Sequence, residues 1–350
     1  MRAKRSNPDT ANTGLLRVFA PRKGEKLAFG AAPLSMLRSE CLLHKYILRR
    51  LLLMIPVLFG VVLIIFTLTY FTDGDPARAL LGPQATVEDI YSKQQELGLH
   101  DPFIVQFGRY LFNLIQMDLG TSFASRRPVV QEVLSRFPTT MHLTGMSIVI
   151  AILIGVPLGI LSATKQYSIF DGIATFIGLM GISIPNFWLS MMFILFFSVR
   201  LDLLPPSGFD TPLHWILPSF AIGISSAAII MRMTRSSMLE VIRQDYIRTA
   251  KAKGQKSSVI IFKHALRNAL IPVITIVGLE IGVLLGGAIL TENIFSIAGI
   301  GRFMVEAISR RDFPVIQGGV LLIAFAFSMI NLLVDIIYAF VDPRIKAQYK

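Results

Sequence analysis

The sequence predicts an all-α membrane protein with six transmembrane helices, and three observations support this fold class. The chain is 53% hydrophobic and only 16% charged, whereas a soluble domain carries about 25% charged residues. Apolar runs long enough to cross a hydrocarbon core of about 30 Å recur along the chain. Lys and Arg are concentrated in alternate connecting segments, which is expected when those segments face the cytoplasm.

Residues 1–45 form a basic extension ahead of the first apolar run. No apolar stretch long enough for a signal peptide lies within the first 35 residues, so no cleaved leader is expected. We interpret the extension as a disordered cytoplasmic tail, or as an over-long start with Met36 as the real initiator. A basic amphipathic anchor around residues 15–19 is the alternative, and the sequence leaves both open.

The first span lies within residues 46–72, and its core Leu51–Phe71 carries no charged residue. Basic residues precede this span and acidic residues follow it, so the positive-inside rule places the N-terminus in the cytoplasm. These flanking residues are Lys45, Arg49, Arg50, Asp73 and Asp75.

Residues 73–138 form a polar region that is too long for a turn and has more acids than bases. Gly and Pro turn signals recur in it, and residues 86–97 and 103–116 are predicted to form two short helices. We therefore expect a small extracytoplasmic subdomain between the first and second spans, covering the mouth of the protein.

Residues 139–345 form the predicted membrane core, which contains the second to sixth spans. Its third span contains Pro185, which removes a helix hydrogen bond. We interpret this span as one kinked helix, with a broken helix lining a cavity as the alternative; Pro185 and Asn186 are therefore candidates for a translocation path. The predicted second to sixth spans are residues 141–163, 172–199, 214–231, 270–290 and 315–341, which places the C-terminus in the cytoplasm.

Residues 232–269 form a basic cytoplasmic loop with the pattern of a helix–Gly–helix hairpin. Gly254 is expected to end the first helix, because glycine adopts positive φ without a Cβ clash. Ser257 or Ser258 is expected to cap the second. Each helix of the hairpin is expected to carry an apolar stripe: Leu239, Ile242, Tyr246 and Ala250 on the first, and Ile261, Ala265, Leu266 and Ala269 on the second. These stripes favour a docking role over a simple solvated loop.

Two acids fall inside predicted spans, Glu280 and Asp335. Ionisable residues are costly in hydrocarbon, so each is a functional candidate; we assign Glu280 to a possible translocation path, and a structural role is favoured for Asp335. The small-residue ridge Gly278-xxx-Gly282-xxx-Gly286 permits close helix approach, either at a subunit interface or in ordinary internal packing.

The charge pattern argues against nucleic-acid binding, the histidines are scattered without metal-ligand spacing, and we find no nucleotide-binding motif.

The hairpin residues resemble the cytoplasmic EAA loop of ABC-importer inner-membrane subunits, specifically those of the dipeptide/oligopeptide-permease family. The generic loop has Glu where Arg248 stands and Ala where Thr249 stands, and these departures are typical of the peptide branch. The resemblance covers residues 45–346. It is carried by Arg248-Thr249-Ala250-x-x-x-Gly254, His264-Ala265-Leu266-Arg267-Asn268-Ala269-Leu270-x-Pro272, Gly74-Asp75-Pro76, Ser183-Ile184-Pro185, Gly299-Ile300-Gly301-Arg302, Arg311-Asp312-Phe313-Pro314 and Asp342-Pro343-Arg344.

This resemblance implies a type I ABC importer permease (MetI-like) fold in a bacterial inner membrane. The chain would pair with a second permease subunit, two ATP-binding subunits would dock on the hairpins, and an extracytoplasmic solute-binding protein would deliver substrate. It would need no cofactor and catalyse nothing itself. Peptides are the expected substrates, with glutathione or nickel chelates as alternatives and a self-sufficient secondary carrier as the runner-up. The candidate ATPase-coupling residues are Tyr246, Arg248, Thr249, Ala250, Lys253, Gly254, Ser257, Lys263 and His264.

Overall fold

A computed structural model describes residues 34–72, 74–82 and 84–341. The predictions for residues 1–33 and for the tail that carries Arg344, Lys346 and Lys350 lie outside these described residues. Two π-helical segments, Ile194–Arg200 and Ile260–Ala265, continue α7 and precede α11. The α-helices of the described residues are α1 (Leu34–Phe71), α2 (Pro76–Leu81), α3 (Val87–Leu97), α4 (Phe103–Ile115), α5 (Val129–Thr164), α6 (Ile169–Ser183), α7 (Asn186–Phe193), α8 (Pro212–Ile242), α9 (Asp245–Ala252), α10 (Ser257–Val259), α11 (Leu266–Ile294), α12 (Ile300–Ser309) and α13 (Phe313–Val341).

The helices that are long and apolar enough to cross a membrane agree with the predicted fold class. Within the described part of the chain, five continuous helical segments meet this description, and a bent pair raises the number to six when it is taken as one span. The two predicted short helices are present as α3 and α4, whereas α2 and α12 were not predicted. Several spans extend well beyond their apolar cores: α5 begins at Val129 and α8 continues to Ile242.

The third span is broken, so our interpretation of it as one kinked helix was wrong. The segments Ile169–Ser183 and Asn186–Arg200 meet at an angle of 100°. Ile184 between them is extended, with φ −82° and ψ 124°, because the residue before a proline is disfavoured in the helical region. Pro185 then begins the second segment as its N-cap residue.

The centre of the molecule is the contact between α5 and α8, where glycines allow the two backbones to touch. A Cβ atom on Gly155 would lie 2.6 Å from the Ala227 carbonyl oxygen, and one on Gly159 would lie 2.7 Å from that of Met231. Around this contact, α5, α8 and α11 bury a shared apolar core that includes Leu143, Ile222, Ile230, Leu284 and Phe295.

The first and last spans, α1 and α13, pair at the edge of this core through polar contacts near both ends of Ile47–Phe71, the apolar part of α1. Arg50 forms an ion pair with Asp335 at 3.2 Å, and the Gln317 amide donates a 2.6 Å hydrogen bond to the Thr69 hydroxyl. Asp335 therefore joins two helices, which supports its structural interpretation.

The small-residue ridge of the fifth span packs within the chain at two of its three positions. A Cβ on Gly278 would meet the Val334 side chain of α13 at 2.5 Å, and one on Gly282 would overlap Phe327 of the same helix. No atom of the described residues lies within 4 Å of a Cβ placed on Gly286. Internal packing thus accounts for Gly278 and Gly282.

Buried carboxylates connect the segments between spans. Glu292, at the end of α11, accepts hydrogen bonds from the Thr140 hydroxyl at 2.6 Å and the Arg302 backbone N–H at 3.1 Å. The Ile300 N–H in turn donates to Thr140. Asp312 accepts backbone N–H groups from the loop at residues 122–124. These bonds hold α12 and the region before α5 against the spans.

We predict that Gly155→Ala destabilises the chain while Gly145→Ala, in the same helix, does not. The first Cβ would press on the rigid backbone of α8, whereas no described atom lies within 4 Å of the second. Overpacking of this kind costs about 1–3 kcal/mol. Thermal unfolding of the detergent-purified protein measures the difference; equal melting temperatures would contradict the close backbone contact.

Candidate functional site

The connection between α8 and α11 forms the predicted hairpin, but its first helix is not continuous. α8 ends at Ile242, and α9 begins anew at Asp245 after Arg243 and Gln244. This break shifts the helical register, so the predicted stripe is only partly correct: Leu239, Ile242 and Ala250 are half-buried against an apolar cluster, but Tyr246 is not. Ile247 is the fully buried residue of α9, whereas Tyr246 is 42% exposed.

Gly254 forms the turn of the hairpin as expected. Its φ is +73°, and its backbone N–H donates to the Lys251 carbonyl oxygen at 2.9 Å. The space around it is open, with no described atom within 4 Å of an added Cβ. The turn therefore favours glycine for its backbone conformation.

The second half of the hairpin starts differently from the prediction. Lys256 is the N-cap residue and no side chain caps α10, so the expected Ser257 or Ser258 cap is absent there. The π-helical segment Ile260–Ala265 then shifts the register. Ile260 is buried although it was not predicted; Ala265 and Ala269 are buried as expected, and Ile261 and Leu266 are half-buried.

The buried residues of both halves join the ends of the spans in a second apolar cluster. Ile247 and Ile260 pack with Ile160 of α5 and Met238 of α8. The hairpin is thus packed against two spans as well as being covalently continuous with α8 and α11. A force on the hairpin would act directly on those helices.

Two side-chain hydrogen bonds brace the hairpin. The Asn268 amide donates to the Tyr246 hydroxyl at 2.7 Å, which ties α9 to α11. His264 Nε2 and Gln255 Oε1 lie 2.7 Å apart, which ties the glycine turn to the π-helical segment.

Most of the nine candidate coupling residues lie on the outer surface of the hairpin. Arg248 forms an ion pair there with Asp245 at 3.7 Å, and the two side chains are 76% and 96% exposed. Sequence reasoning did not single out Ile247, Gln255 and Asn268. Asp245 directly after Gln244 was the available signal for a new helix start, because acidic residues favour the first turn. Of the nine candidates, Ala250 and His264 are half-buried, and the other seven are exposed: Tyr246, Arg248, Thr249, Lys253, Gly254, Ser257 and Lys263.

The three candidate residues of the translocation path have different environments. Pro185 is exposed at the break of the third span, and Asn186 beside it is half-buried. Glu280 is buried, with 6% exposure, and accepts a 2.6 Å hydrogen bond from Ser226 of α8. In this conformation Glu280 joins two spans, and its burial does not favour direct contact with a substrate.

Near the hairpin, a buried ion pair ties the third span to the fourth. Arg235 of α8 donates to both carboxylate oxygens of Asp171 in α6, at 2.8 and 2.9 Å. Ser162 of α5 and the Tyr167 backbone N–H also donate to this carboxylate. Such a bidentate, fully bonded pair fixes geometry, so α5, α6 and α8 are locked together at this end.

The fold and the hairpin define a class of protein: a polytopic permease subunit with the type I ABC importer fold. Two solved structures of the MetNI methionine ABC transporter in inward-facing conformations resemble this chain, with TM-scores of 0.51 and 0.50 at 20% and 19% sequence identity. They cover 61% and 60% of this chain and 97% and 96% of their own chains. At this identity the likeness establishes the fold alone.

Sequence comparison identifies the family. Residues 155–347 match the model of the binding-protein-dependent transport system inner membrane component, and residues 43–144 match the N-terminal model of the same membrane component. The chain belongs to this family and is therefore a multi-pass inner-membrane protein.

Individual relatives align over almost their whole length. The dipeptide transport system permease protein DppB of Alkalihalophilus pseudofirmus is 47% identical, covering 86% of this chain and 99% of the relative. Glutathione transport system permease proteins GsiC of Salmonella paratyphi A and Escherichia coli K12 are each 44% identical, covering 86% of this chain and 98% of each relative. The resemblance to the dipeptide/oligopeptide-permease family is thus confirmed.

We predict that Arg235→Ala strongly reduces stability, whereas Arg232→Ala does not. Asp171 is buried, so removal of its partner leaves an unpaired charge, a change that costs about 3–5 kcal/mol. Arg232 lies on the same helix and is exposed. Thermal unfolding of the purified variants is the measurement. A double variant, Asp171→Asn with Arg235→Met, should recover part of the loss; a loss at Arg235 equal to that at Arg232 would disprove the buried pair.

Proposed function

We propose that this chain is the pore-forming permease subunit of an ATP-driven importer for dipeptides and other short peptides. The observation that carries this proposal is its 47% identity to a dipeptide permease along 99% of that relative. The permease fold and the braced hairpin support the same function.

The partners follow from the family. A binding-protein-dependent system needs an extracytoplasmic binding protein, a second permease subunit to complete the pore, and two ATP-binding subunits. ATP binds to those partners, so this chain requires no cofactor and performs no catalysis. The hairpin faces the cytoplasm together with both termini, in agreement with its excess of Lys and Arg.

The hairpin is the proposed docking site for an ATP-binding subunit. Its outer face offers exposed side chains on both sides of the Gly254 turn, while its inner face is anchored by Ile247 and Ile260. Movement of the docked subunit would displace α8 and α11 together, because the hairpin is continuous with both. Rigid movement of packed helices is a common basis of such transitions.

A second candidate substrate is glutathione. The glutathione permeases are only slightly less similar, at 44% identity, and glutathione is itself a short peptide-like molecule. Specificity between the two would lie mainly with the binding protein that delivers the substrate. The same permease could therefore serve either class.

Transport by the reconstituted complex tests the substrate. We expect vesicles that contain this chain, its second permease, both ATP-binding subunits and the binding protein to accumulate labelled dipeptide only with internal ATP. Labelled glutathione is the parallel substrate. Uptake of glutathione alone would favour the second candidate, and uptake without the ATP-binding subunits would overturn the importer proposal in favour of a self-sufficient carrier.

Substitution of Gly254 tests the docking site. We predict that Gly254→Val reduces co-purification of the ATP-binding subunits, because a β-branched residue is strongly disfavoured at φ +73°. Gly254→Asn is the matched control, since asparagine tolerates this conformation and the surrounding space is open. Retention of the subunits by the Val variant, at wild-type amounts, would argue against docking around this turn.

A further inference from the structure

Helix α4, in the region between the first two spans, has three distinct faces. One carries aromatic residues that contact α1. The second carries Gln106, Arg109 and Asn113, which line a cavity of about 740 Å³ between α4, α1 and the start of α13. The third face is apolar and is left uncovered by the other described residues: Ile104 is 80%, Phe112 63% and Ile115 82% exposed.

The aromatic face fixes the position of α4 along α1. Phe66 of α1 is buried and contacts the rings of Phe103, Phe107 and Tyr110, with centroid distances of 5.2–5.4 Å. Phe107 also contacts Phe59, with ring centroids 6.0 Å apart. Aromatic pairs at such distances are favourable beyond their buried area, so α4 is firmly attached to this part of α1.

These contacts lie at the depth of the hydrocarbon core. The span within α1 runs from Ile47 to Phe71. With a rise of 1.5 Å per residue, Phe66 lies roughly 7 Å and Phe59 roughly 18 Å from the end of α1 at Phe71. A hydrocarbon core is about 30 Å thick. A helix that touches Phe59 and Phe66 therefore reaches well inside the membrane.

The polar groups of α4 are turned away from the exposed apolar face. The Gln106 amide donates to the carbonyl oxygens of Leu99 and Asp101, at 2.9 and 2.8 Å. Arg109 forms an ion pair with Asp101 and donates to the Leu97 carbonyl oxygen. Exposed apolar side chains opposite a polar face are typical of helices that lie in a membrane.

From these contacts we infer that α4 is embedded in the bilayer, with Ile104, Phe112 and Ile115 packed against lipid acyl chains. It lies in the half of the membrane that contains the last twelve residues of α1, where Ile64 and Leu68 of that span are also exposed. The inference does not depend on the transported substrate. It changes the character of the region at residues 73–138, because part of that region lies within the membrane instead of covering it from outside.

Nitroxide scanning of the complete transporter in phosphatidylethanolamine–phosphatidylglycerol vesicles tests this inference. Single cysteines at 104, 112 and 115 are introduced into a Cys41→Ser background and labelled. Collisions with oxygen, which concentrates in lipid, are compared with collisions with a water-soluble nickel chelate. Val87, the first residue of α3, is the matched control, because its exposure of 82% equals that of Ile115 and is close to that of Ile104.

We expect the ratio of oxygen to nickel collisions at all three α4 positions to be several-fold higher than at Val87 and similar to that at Leu68. A ratio equal to that at Val87 would place this face in water and overturn the inference. Low collision rates with both reagents would overturn it too, because they would show that another protein, such as the second permease or the binding protein, covers the face.

Discussion

Close backbone contact between α5 and α8 is the constraint on which the rest of the structure depends. Within a membrane there is no hydrophobic driving force between helices, so their association depends on packing and polar bonds. Gly155 and Gly159 remove the side chains that would separate the two backbones. This contact fixes the pair around which α6, α11 and α13 assemble, and it sets the position of the hairpin that continues from α8.

Buried polar groups supply the specific connections between these helices, and each of them joins different segments of the chain. The Asp171–Arg235 pair joins α6 to α8, and Glu280 joins α11 to α8 through Ser226. Such groups are expensive in hydrocarbon unless they are paired. Their pairing therefore fixes which helix faces meet, in addition to any contribution to stability.

The number of spans and the glycine turn could be predicted from the sequence, because length, hydrophobicity and positive φ leave strong local signals. The break of the third span was harder to predict. Proline is compatible with both a kink and a break, and the 100° angle is set by how α6 and α7 pack on α8. Most of the inner face of the hairpin was predicted, but Ile247 and Ile260 were missed and Tyr246 was misplaced. A break at Gln244 and a π-helical segment shift the side chains by amounts that regular periodicity does not reveal. The depth of α4 depends on tertiary contacts with Phe59 and Phe66, which no local pattern encodes.

The continuity of α11 has a mechanical consequence. This helix begins directly after the hairpin, and near its other end lies Glu292, whose carboxylate holds Thr140 of α5 and the start of α12. Pro272 lies near its first turns, and helical geometry continues beyond it to Ile294. A helix of this length transmits displacement along its axis with little bending, so a movement of the hairpin would reach the segments around α12 at the far end. The bonds at Glu292 and the brace at Asp171 are thus at opposite ends of the same packed helix group, so any rigid movement of these helices must preserve or exchange both sets.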